Sequence, residues 1–247
     1  MQRIVLAIAA LAMGLGVAQA DGPHEGPRPF TWTGFYAGAV GSYVWADQEF
    51  PGIPGHIPSP VPVGKVSGPP RMELDGGMLG GQIGAQYQMG WLVVGVEGDY
   101  SRGNLSQSVR DGNYIVQTGE IEWAGTLRGR LGIAMGNWLP YVTAGYMWAG
   151  ASYSQSCPEK AAAPFGHCNK ADKYSVTKDA THTGFVYGGG LEWAVSRHFS
   201  VKAEGLWFKL DEEVYDMGNA PLTGVPIGKK PIEYEGAMFR LGGSYHF

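Results

Sequence analysis

The sequence lacks three features that would place it in common classes of protein. Beyond its first 20 residues it has no run of roughly 18 apolar residues, so it contains no candidate transmembrane helix. It has no basic excess, because 18 Lys and Arg stand against 22 Asp and Glu, and this excludes nucleic acid as an expected partner. Its six histidines show no metal-ligand spacing such as His-x-x-x-His. We therefore expect neither a metal site nor another cofactor.

The first 20 residues predict export from the cytoplasm. Arg3 supplies a positive n-region, residues 4–17 form a short apolar core, and an Ala-Gln-Ala cleavage site precedes Asp21. Residues 1–20 are therefore interpreted as a signal peptide, and residues 21–31 as a flexible lead. Only two cysteines follow, Cys157 and Cys168. Because exported chains meet an oxidising compartment, we predict a disulfide between them; two unbridged loop thiols are the alternative.

Residues 32–247 are predicted to form one domain built from strands. Forty glycines and 12% aromatic residues with only 16% charge suit many strands joined by tight turns. The last strand shows the period-2 pattern most clearly. One of its faces is apolar and carries Phe239, Leu241, Tyr245 and Phe247. The opposite face carries Arg240 and His246, as expected for a strand with lipid outside and a polar lumen inside.

Eight such strands can be placed along the chain, and their connections alternate between long and short. The predicted strands are 32–46, 74–89, 91–101, 119–135, 138–153, 183–195, 199–210 and 235–247. Long connections follow strands 1, 3, 5 and 7, whereas tight turns near residues 90, 137 and 197 follow strands 2, 4 and 6. This alternation predicts an all-β fold, an eight-stranded antiparallel up-and-down transmembrane β-barrel. Strand 5 is apolar on both faces, so its inside and outside cannot be assigned from the pattern.

Charged residues fall on the inward face of this predicted barrel. The predicted lumen charge network comprises Glu97, Asp99, Glu122, Arg128, Arg130, Glu192, Lys202, Glu204 and Arg240. So many charges exclude a dry, lipocalin-like cup, and opposite charges in a narrow lumen should pair. Two interpretations remain open: a plug of salt bridges that holds the barrel shut, or a gate whose pairs exchange partners and pass small solutes.

Aromatic residues cluster near the ends of the predicted strands. They are predicted to form two girdles at the membrane interfaces. The residues concerned are Trp32, Trp45, Trp91, Tyr100, Trp138, Trp193, Trp207 and Tyr245. A surface that stacks on carbohydrate is the alternative interpretation, but aromatic residues at both ends of many strands favour anchoring in lipid.

Three segments carry a family resemblance that covers nearly all of the chain outside the loops. Trp-Thr-Gly-Phe-Tyr-Ala-Gly at residues 32–38, residues 199–206 and the terminal Arg-Leu-Gly-Gly-Ser-Tyr-His-Phe at 240–247 resemble the alphaproteobacterial outer-membrane β-barrel family, surface antigens related to opacity and outer membrane protein A-like barrels. The resemblance implies the outer membrane of a Gram-negative bacterium, with lipid and lipopolysaccharide as surroundings. The apolar row Phe239, Leu241, Tyr245 and Phe247 is similar to the signal read by the barrel assembly machinery.

The expected function is structural and surface-facing, namely envelope integrity and the presentation of loops. A narrow porin-like channel for small solutes is one alternative. Adhesion or ligand binding by the loops is another, for example to a host surface or to haem through His56, His167 or His182. We expect no enzyme: His198 and Ser200 resemble part of a lipid A deacylase site, but Glu212 lies beyond the opposite end of the same strand, some ~40 Å away.

Overall fold

The structure, a computed structural model, describes residues 30–49, 71–111, 115–156, 175–219 and 229–247. These residues form eight strands, which are β1 Gly34–Glu49, β2 Arg71–Met89, β3 Leu92–Asp111, β4 Ile115–Ile133, β5 Trp138–Ser156, β6 Ser175–Ala194, β7 Phe199–Asp216 and β8 Lys229–His246. Every strand pairs antiparallel with its chain neighbours, and β1 pairs with β8 to close the sheet. The predicted eight-stranded antiparallel barrel is confirmed.

The strands are staggered around the barrel. Following paired residues once around the sheet from Tyr36 passes through Glu97 and Arg128 and returns to β1 at Ala46, ten residues further along the strand. This stagger tilts the strands and sets the width of the barrel, which for eight strands leaves an interior that side chains can fill.

The tight turns all lie at one end of the barrel, which we call the turn end. Gly90 and Gly136 lie in the turns after β2 and β4 with φ of 63° and 64°, values that favour glycine. After β6, the amides of Val195 and Ser196 both donate to the carbonyl of Phe199. The long connections lie at the opposite, loop end. In barrels of this type the turn end faces the periplasm and the loop end faces the outside.

The outward face carries a belt of large apolar side chains between two aromatic girdles. Side chains such as Phe35, Leu79, Ile83 and Val142 are 60–70% exposed, which is expected only where lipid covers them. The turn-side girdle contains Tyr87, Trp91, Trp138, Trp193, Phe199 and Tyr245, and the loop-side girdle contains Tyr43, Trp45, Tyr100, Trp148 and Trp207. Trp32, predicted for a girdle, is an exception: it is fully buried at the turn-end mouth of the lumen.

All eight strands extend further towards the loop end than the sequence pattern predicted. The sequence pattern predicts a loop over the polar stretch 102–118, yet β3 continues to Asp111 and β4 begins at Ile115. Similar additions lengthen β6, β7 and β8. We call the strand segments beyond the loop-side girdle the loop-side extension (residues 46–49, 71–75, 102–111, 115–122, 149–156, 175–184, 209–216 and 229–236). The sequence pattern did not predict this extension because its outward residues are polar. A lipid-facing strand would need apolar residues there, so these stretches resemble loops.

No helix among these described segments has the length and apolar character needed to cross a membrane.

The structure assigns the two faces of β5, which are both apolar in sequence. Tyr141 and Met147 point into the lumen, while Val142 and Tyr146 point outward.

Candidate functional site in the barrel lumen

The strand register brings charged residues of opposite sign side by side on the lumen face. Glu97 on β3 lies directly opposite Arg128 on β4, and Glu204 on β7 lies opposite Arg240 on β8. Eight of the nine predicted lumen charges converge in this layer, which contains Glu97, Asp99, Arg128, Arg130, Glu192, Lys202, Glu204 and Arg240. Four carboxylates therefore meet four cations. Their side chains are at most 4% exposed.

Glu97 is the centre of the layer. Its Oε1 lies 2.5 Å from Nη2 of Arg128 and 2.7 Å from Nζ of Lys202. Its Oε2 accepts hydrogen bonds from Lys202 Nζ at 2.7 Å, from the Tyr36 hydroxyl at 2.7 Å and from Nη1 of Arg130 at 3.3 Å. One carboxylate thus contacts three cations, and each contact is a charge-assisted hydrogen bond of the stronger kind.

Glu204 is a second shared carboxylate. Its Oε1 accepts from the Tyr141 hydroxyl at 2.7 Å and from Nη1 of Arg128 at 3.2 Å. Its Oε2 lies 3.4 Å from Lys202 Nζ and 3.7 Å from Nε of Arg240. Arg128 and Lys202 therefore each bridge Glu97 and Glu204, which makes the layer a connected network instead of a set of isolated pairs.

Asp99 and Glu192 extend the network along the lumen in opposite directions. Towards the loop end, Oδ2 of Asp99 lies 3.1 Å from both Arg128 and Arg240 and accepts a hydrogen bond from Thr126. Towards the turn end, Oε2 of Glu192 lies 2.6 Å from Nη2 of Arg130.

Glu192 also begins a polar chain that leads to the turn-end mouth. The Ser200 hydroxyl donates to Oε1 of Glu192 at 2.6 Å and lies 2.9 Å from Nε2 of His246. Arg130, the ion-pair partner of Glu192, also makes a cation–π contact, because its guanidinium carbon lies 3.9 Å from the centroid of the Tyr141 ring. Taken with the ion pairs described above, each charge in the layer contacts more than one neighbour.

Two apolar clusters enclose the charged layer. The loop-side core fills the lumen between the layer and the loop end with residues that include Leu74, Leu105, Phe208, Leu210 and Ile232. The turn-side cluster contains Trp32, Val93, Leu139, Tyr141 and Ala194. Because these clusters keep water away, the charges interact in a low dielectric. There, mutual attraction must offset a desolvation penalty of several kcal/mol per ion.

Glu122 requires a correction, because it does not lie in this layer. A β-bulge interrupts the pairing of β4 with β5: Ile121 pairs with Ala151, but Trp123 pairs with Gly150, so Glu122 has no opposite residue. The extra residue reverses the inward and outward alternation of β4 on the loop-end side of the bulge. Ile121 therefore points inward, and Glu122 is exposed. The sequence pattern assumed an uninterrupted period of two.

The predicted lumen charge network leaves out five uncharged or weakly basic partners, although the sequence pattern already places His246 on the inward face of the last strand. These are Tyr36, Thr126, Tyr141, Ser200 and His246. His246 and Ser200 alternate with outward residues in their strands, so their inward position was available from the pattern. The long reach of the two tyrosines across the lumen was not, because it depends on which strands face each other.

The apolar row of β8 faces outward. Phe239, Leu241, Tyr245 and Phe247 are 48%, 57%, 47% and 77% exposed. Whether they serve as an assembly signal stays a prediction. The predicted disulfide between Cys157 and Cys168 and the predicted signal peptide 1–20 lie outside the described residues.

The structure does not place His182 on an outer loop, where haem capture would need it. His182 lies on β6 inside the loop-side extension and is fully buried. Its Nδ1 is 3.0 Å from the Asp211 carbonyl and its Nε2 is 2.9 Å from the Tyr215 hydroxyl, so both ring nitrogens are engaged. Burial lowers the pKa of His182, with the Asp211 contact opposing the shift. His56 and His167 lie outside the described residues.

Comparisons with known proteins agree with this architecture. A family model described as "Outer membrane protein beta-barrel domain" matches residues 7–247. The chain is 26% identical over 253 residues to the 31 kDa outer-membrane immunogenic protein of Brucella melitensis, covering 98% of this chain and 95% of that one. It is 24% identical over 197 residues to the 22 kDa outer membrane protein of Rhizobium leguminosarum bv. viciae, covering 78% and 71%.

Solved structures with a similar chain path share little sequence. The outer membrane protein OprG from Pseudomonas aeruginosa is 14% identical with a TM-score of 0.48, over 89% of this chain and 98% of that one. The attachment invasion locus protein Ail of Yersinia pestis is 13% identical with a TM-score of 0.42, over 87% and 99%.

Proposed function

Since this chain belongs to the outer membrane protein β-barrel family, we propose that it is a closed structural barrel that contributes to envelope integrity and presents its long connections at the cell surface. The protein lies in the outer membrane of a Gram-negative bacterium, as its named relatives do. The relative from Brucella is named an immunogenic outer-membrane protein, which supports the surface-facing part of the proposal.

The closed lumen carries the proposal. The side chains of Glu97, Arg128 and Glu204 are fully buried, and apolar clusters lie both above and below them. A solute crossing the barrel would have to separate ion pairs in a dry environment, at a cost of several kcal/mol for each charge left alone. A sealed cylinder whose outer belt matches lipid suits a structural element better than a pore.

Electrical conductance tests the closed state. Purified mature protein in planar lipid bilayers should show no discrete single-channel current at neutral pH. A step-like current from the unmodified protein would contradict the proposal.

One observation favours a second candidate, a narrow channel gated by exchange of ion pairs. Lys202 Nζ lies 2.7 Å from Glu97 and 3.4 Å from Glu204, so this cation already stands between two carboxylates that it could hold in turn. A channel of this kind should gain current when a neighbouring cation is removed. Arg130→Ala, which takes a cation from Glu97 and Glu192, is the test. If this variant also conducts no current, the channel hypothesis is wrong.

Surface presentation needs a separate experiment, because a barrel can stabilise the envelope without binding anything. We propose to compare a deletion strain carrying the full protein with one carrying a barrel in which residues 51–69 and 157–174 are replaced by short Gly-Ser linkers. Resistance to detergent and EDTA restored by both proteins assigns the envelope role to the barrel. Binding to host surfaces, or to haem, retained only by the full protein would assign that role to the loops.

A further inference from the structure

We infer that residues 30–33 form a strap that closes the turn-end mouth of the barrel and controls access of water and small hydrophilic solutes from the periplasm to the lumen. The strap precedes β1 and crosses the opening instead of pairing in the sheet. The proposed structural function does not require it, because the charged layer is also sealed on its loop side.

Trp32 is the centre of the strap. Its side chain is fully buried although no strand contains it, and it packs with Val93, Leu139 and Ala194 at the turn end of the lumen. Phe30 packs against the same cluster, with its ring centroid 4.6 Å from that of Trp32. Other tryptophans at this end, such as Trp91 and Trp138, are 65% and 45% exposed on the outer face. Trp32 thus fills the mouth while the others face lipid.

Hydrogen bonds tie the strap to the end of β2 and to the turn between β4 and β5 at the rim of the mouth. The Trp32 amide donates to Oε1 of Gln88 at 3.0 Å, and the Gln88 amide donates to the Thr33 hydroxyl at 2.9 Å. Across the opening, the Trp32 indole N–H donates to the Gly136 carbonyl at 3.3 Å. The strap therefore spans from β1 to the turn between β4 and β5, on the other side of the barrel. These few anchors contrast with the continuous hydrogen-bond ladder of each strand, so the strap can detach without opening the sheet.

Gly34 lets the chain leave the barrel wall and fold back across the mouth. Its φ of 145° lies in a region that side-chain-bearing residues rarely adopt. A Cβ at this position would also lie 3.2 Å from the Phe247 carbonyl oxygen. The conformation is therefore specific to glycine at the junction between strap and strand.

The strap covers the first polar groups that a solute from the periplasm would meet. The His246 ring lies 5.2 Å from Phe30 and 6.1 Å from Trp32, measured between ring centroids. Beneath it, Ser200 connects His246 to Glu192. Removing the aromatic rings would therefore open a water path to this polar chain but not through the loop-side core.

Thiol labelling tests this inference on the whole mature chain. In a Cys157→Ser, Cys168→Ser background, Ser200→Cys places a reporter thiol directly beneath the strap, and Ser101→Cys places one in the lumen on the loop side of the charged layer. The reagent is a small trimethylammonium methanethiosulfonate added to the folded protein in micelles. With Trp32 present, both thiols should react slowly.

Trp32→Ala should raise the labelling rate of the thiol at position 200 by at least about tenfold and leave the thiol at position 101 unchanged. Trp138→Ala, which removes a tryptophan from the outer face of the same end, should change neither rate. Folding of each variant is verified by electrophoresis, because a folded barrel changes its gel mobility when it is heated. If Trp32→Ala does not fold, Gly34→Ala, which keeps every strap side chain, should raise the rate at position 200 by a few fold. Rapid labelling with the strap intact, or no increase in a folded variant, would overturn the inference.

Discussion

In the membrane-spanning part of the barrel the outward row of side chains is apolar and the inward row contains the charged layer. In the loop-side extension the outward row is polar and the inward row is mainly apolar. Leu79 and Glu97 represent the first arrangement, since Leu79 is 69% exposed and Glu97 is buried. Leu74 and Glu73 on the same β2 strand as Leu79 represent the second, with Leu74 buried and Glu73 exposed.

The comparison separates what the surroundings dictate from what the interior permits. The outward row follows the medium, because lipid requires apolar side chains and water accepts polar ones. The inward row is dry in both regions and can be either apolar or ionic. An ionic interior is stable only if every charge has partners, which explains why eight charges form one connected layer. The extension instead packs mainly leucine, methionine and aromatic residues, together with a hydrogen-bonded His182.

The largest difference between inner and outer charges should appear when a carboxylate is neutralised. Glu97→Gln leaves Arg128, Arg130 and Lys202 without their common counter-ion and should lower the free energy of unfolding by about 3–5 kcal/mol. Glu233→Gln is the matched control, because Glu233 lies 3.7 Å from a Lys209 that is 61% exposed, and should cost at most about 0.5 kcal/mol. Urea titration of both variants in lipid vesicles measures the two values. Equal losses would show that the lumen charges do not form a buried network.

The boundary between lipid and water can be located by placing a lysine at two outward positions. Val142→Lys lies in the apolar belt and should cost about 2–4 kcal/mol of folding free energy, since the charge enters hydrocarbon. Thr181→Lys lies on the outer face of the extension and should cost less than about 0.5 kcal/mol. The same urea titration reports both changes. A large cost at position 181 would mean that lipid reaches the extension and that the polarity comparison fails.

The interior of the extension should respond to acid through His182. Because burial lowers its pKa in the folded protein, the unfolded chain binds the proton first, and folding stability falls as the pH drops below about 6.5. The loss continues until the pH passes below the folded pKa, with a slope of at most about 1.4 kcal/mol per pH unit. His182→Gln keeps a polar group near Tyr215 but cannot titrate. Acidification from pH 7.5 to 5 should therefore lower the free energy of unfolding of the wild type more than that of this variant. An equal change in the two proteins would contradict the assignment.

The regular parts of the fold were predictable because lipid imposes a simple rule on them. The period of two, the tight turns at Gly90 and Gly136 and the convergence of charges such as Glu97 and Arg128 follow from counting residues along each strand. Two features broke the rule. Trp32 resembles an interfacial anchor in sequence but fills the mouth, because only the three-dimensional path of the chain before β1 brings it there.

The loop-side extension was missed for a related reason. Its inward residues, such as Leu105, Ile121 and Leu210, are apolar, but its outward residues are polar and resemble those of a solvated loop. The register shifts between Arg102 and Leu105 and between Ile121 and Trp123 interrupt the alternation further. Without a structure, nothing in the sequence indicates which residue is the extra one, and this is why the side of the sheet assigned to Glu122 was wrong.

The smallest expected effect concerns Glu122 itself and tests the position of that bulge. Glu122 is exposed, so Glu122→Gln should change the free energy of unfolding by less than about 0.5 kcal/mol in urea titrations. Asp99→Asn is the lumen counterpart, because Asp99 lies 3.1 Å from both Arg128 and Arg240 and its loss leaves buried cations under-compensated. The two substitutions remove the same charge from adjacent strands, so only their positions relative to the sheet distinguish them. If Glu122→Gln were as costly as Asp99→Asn, the bulge would be misplaced by one residue and Glu122 would belong to the inward row.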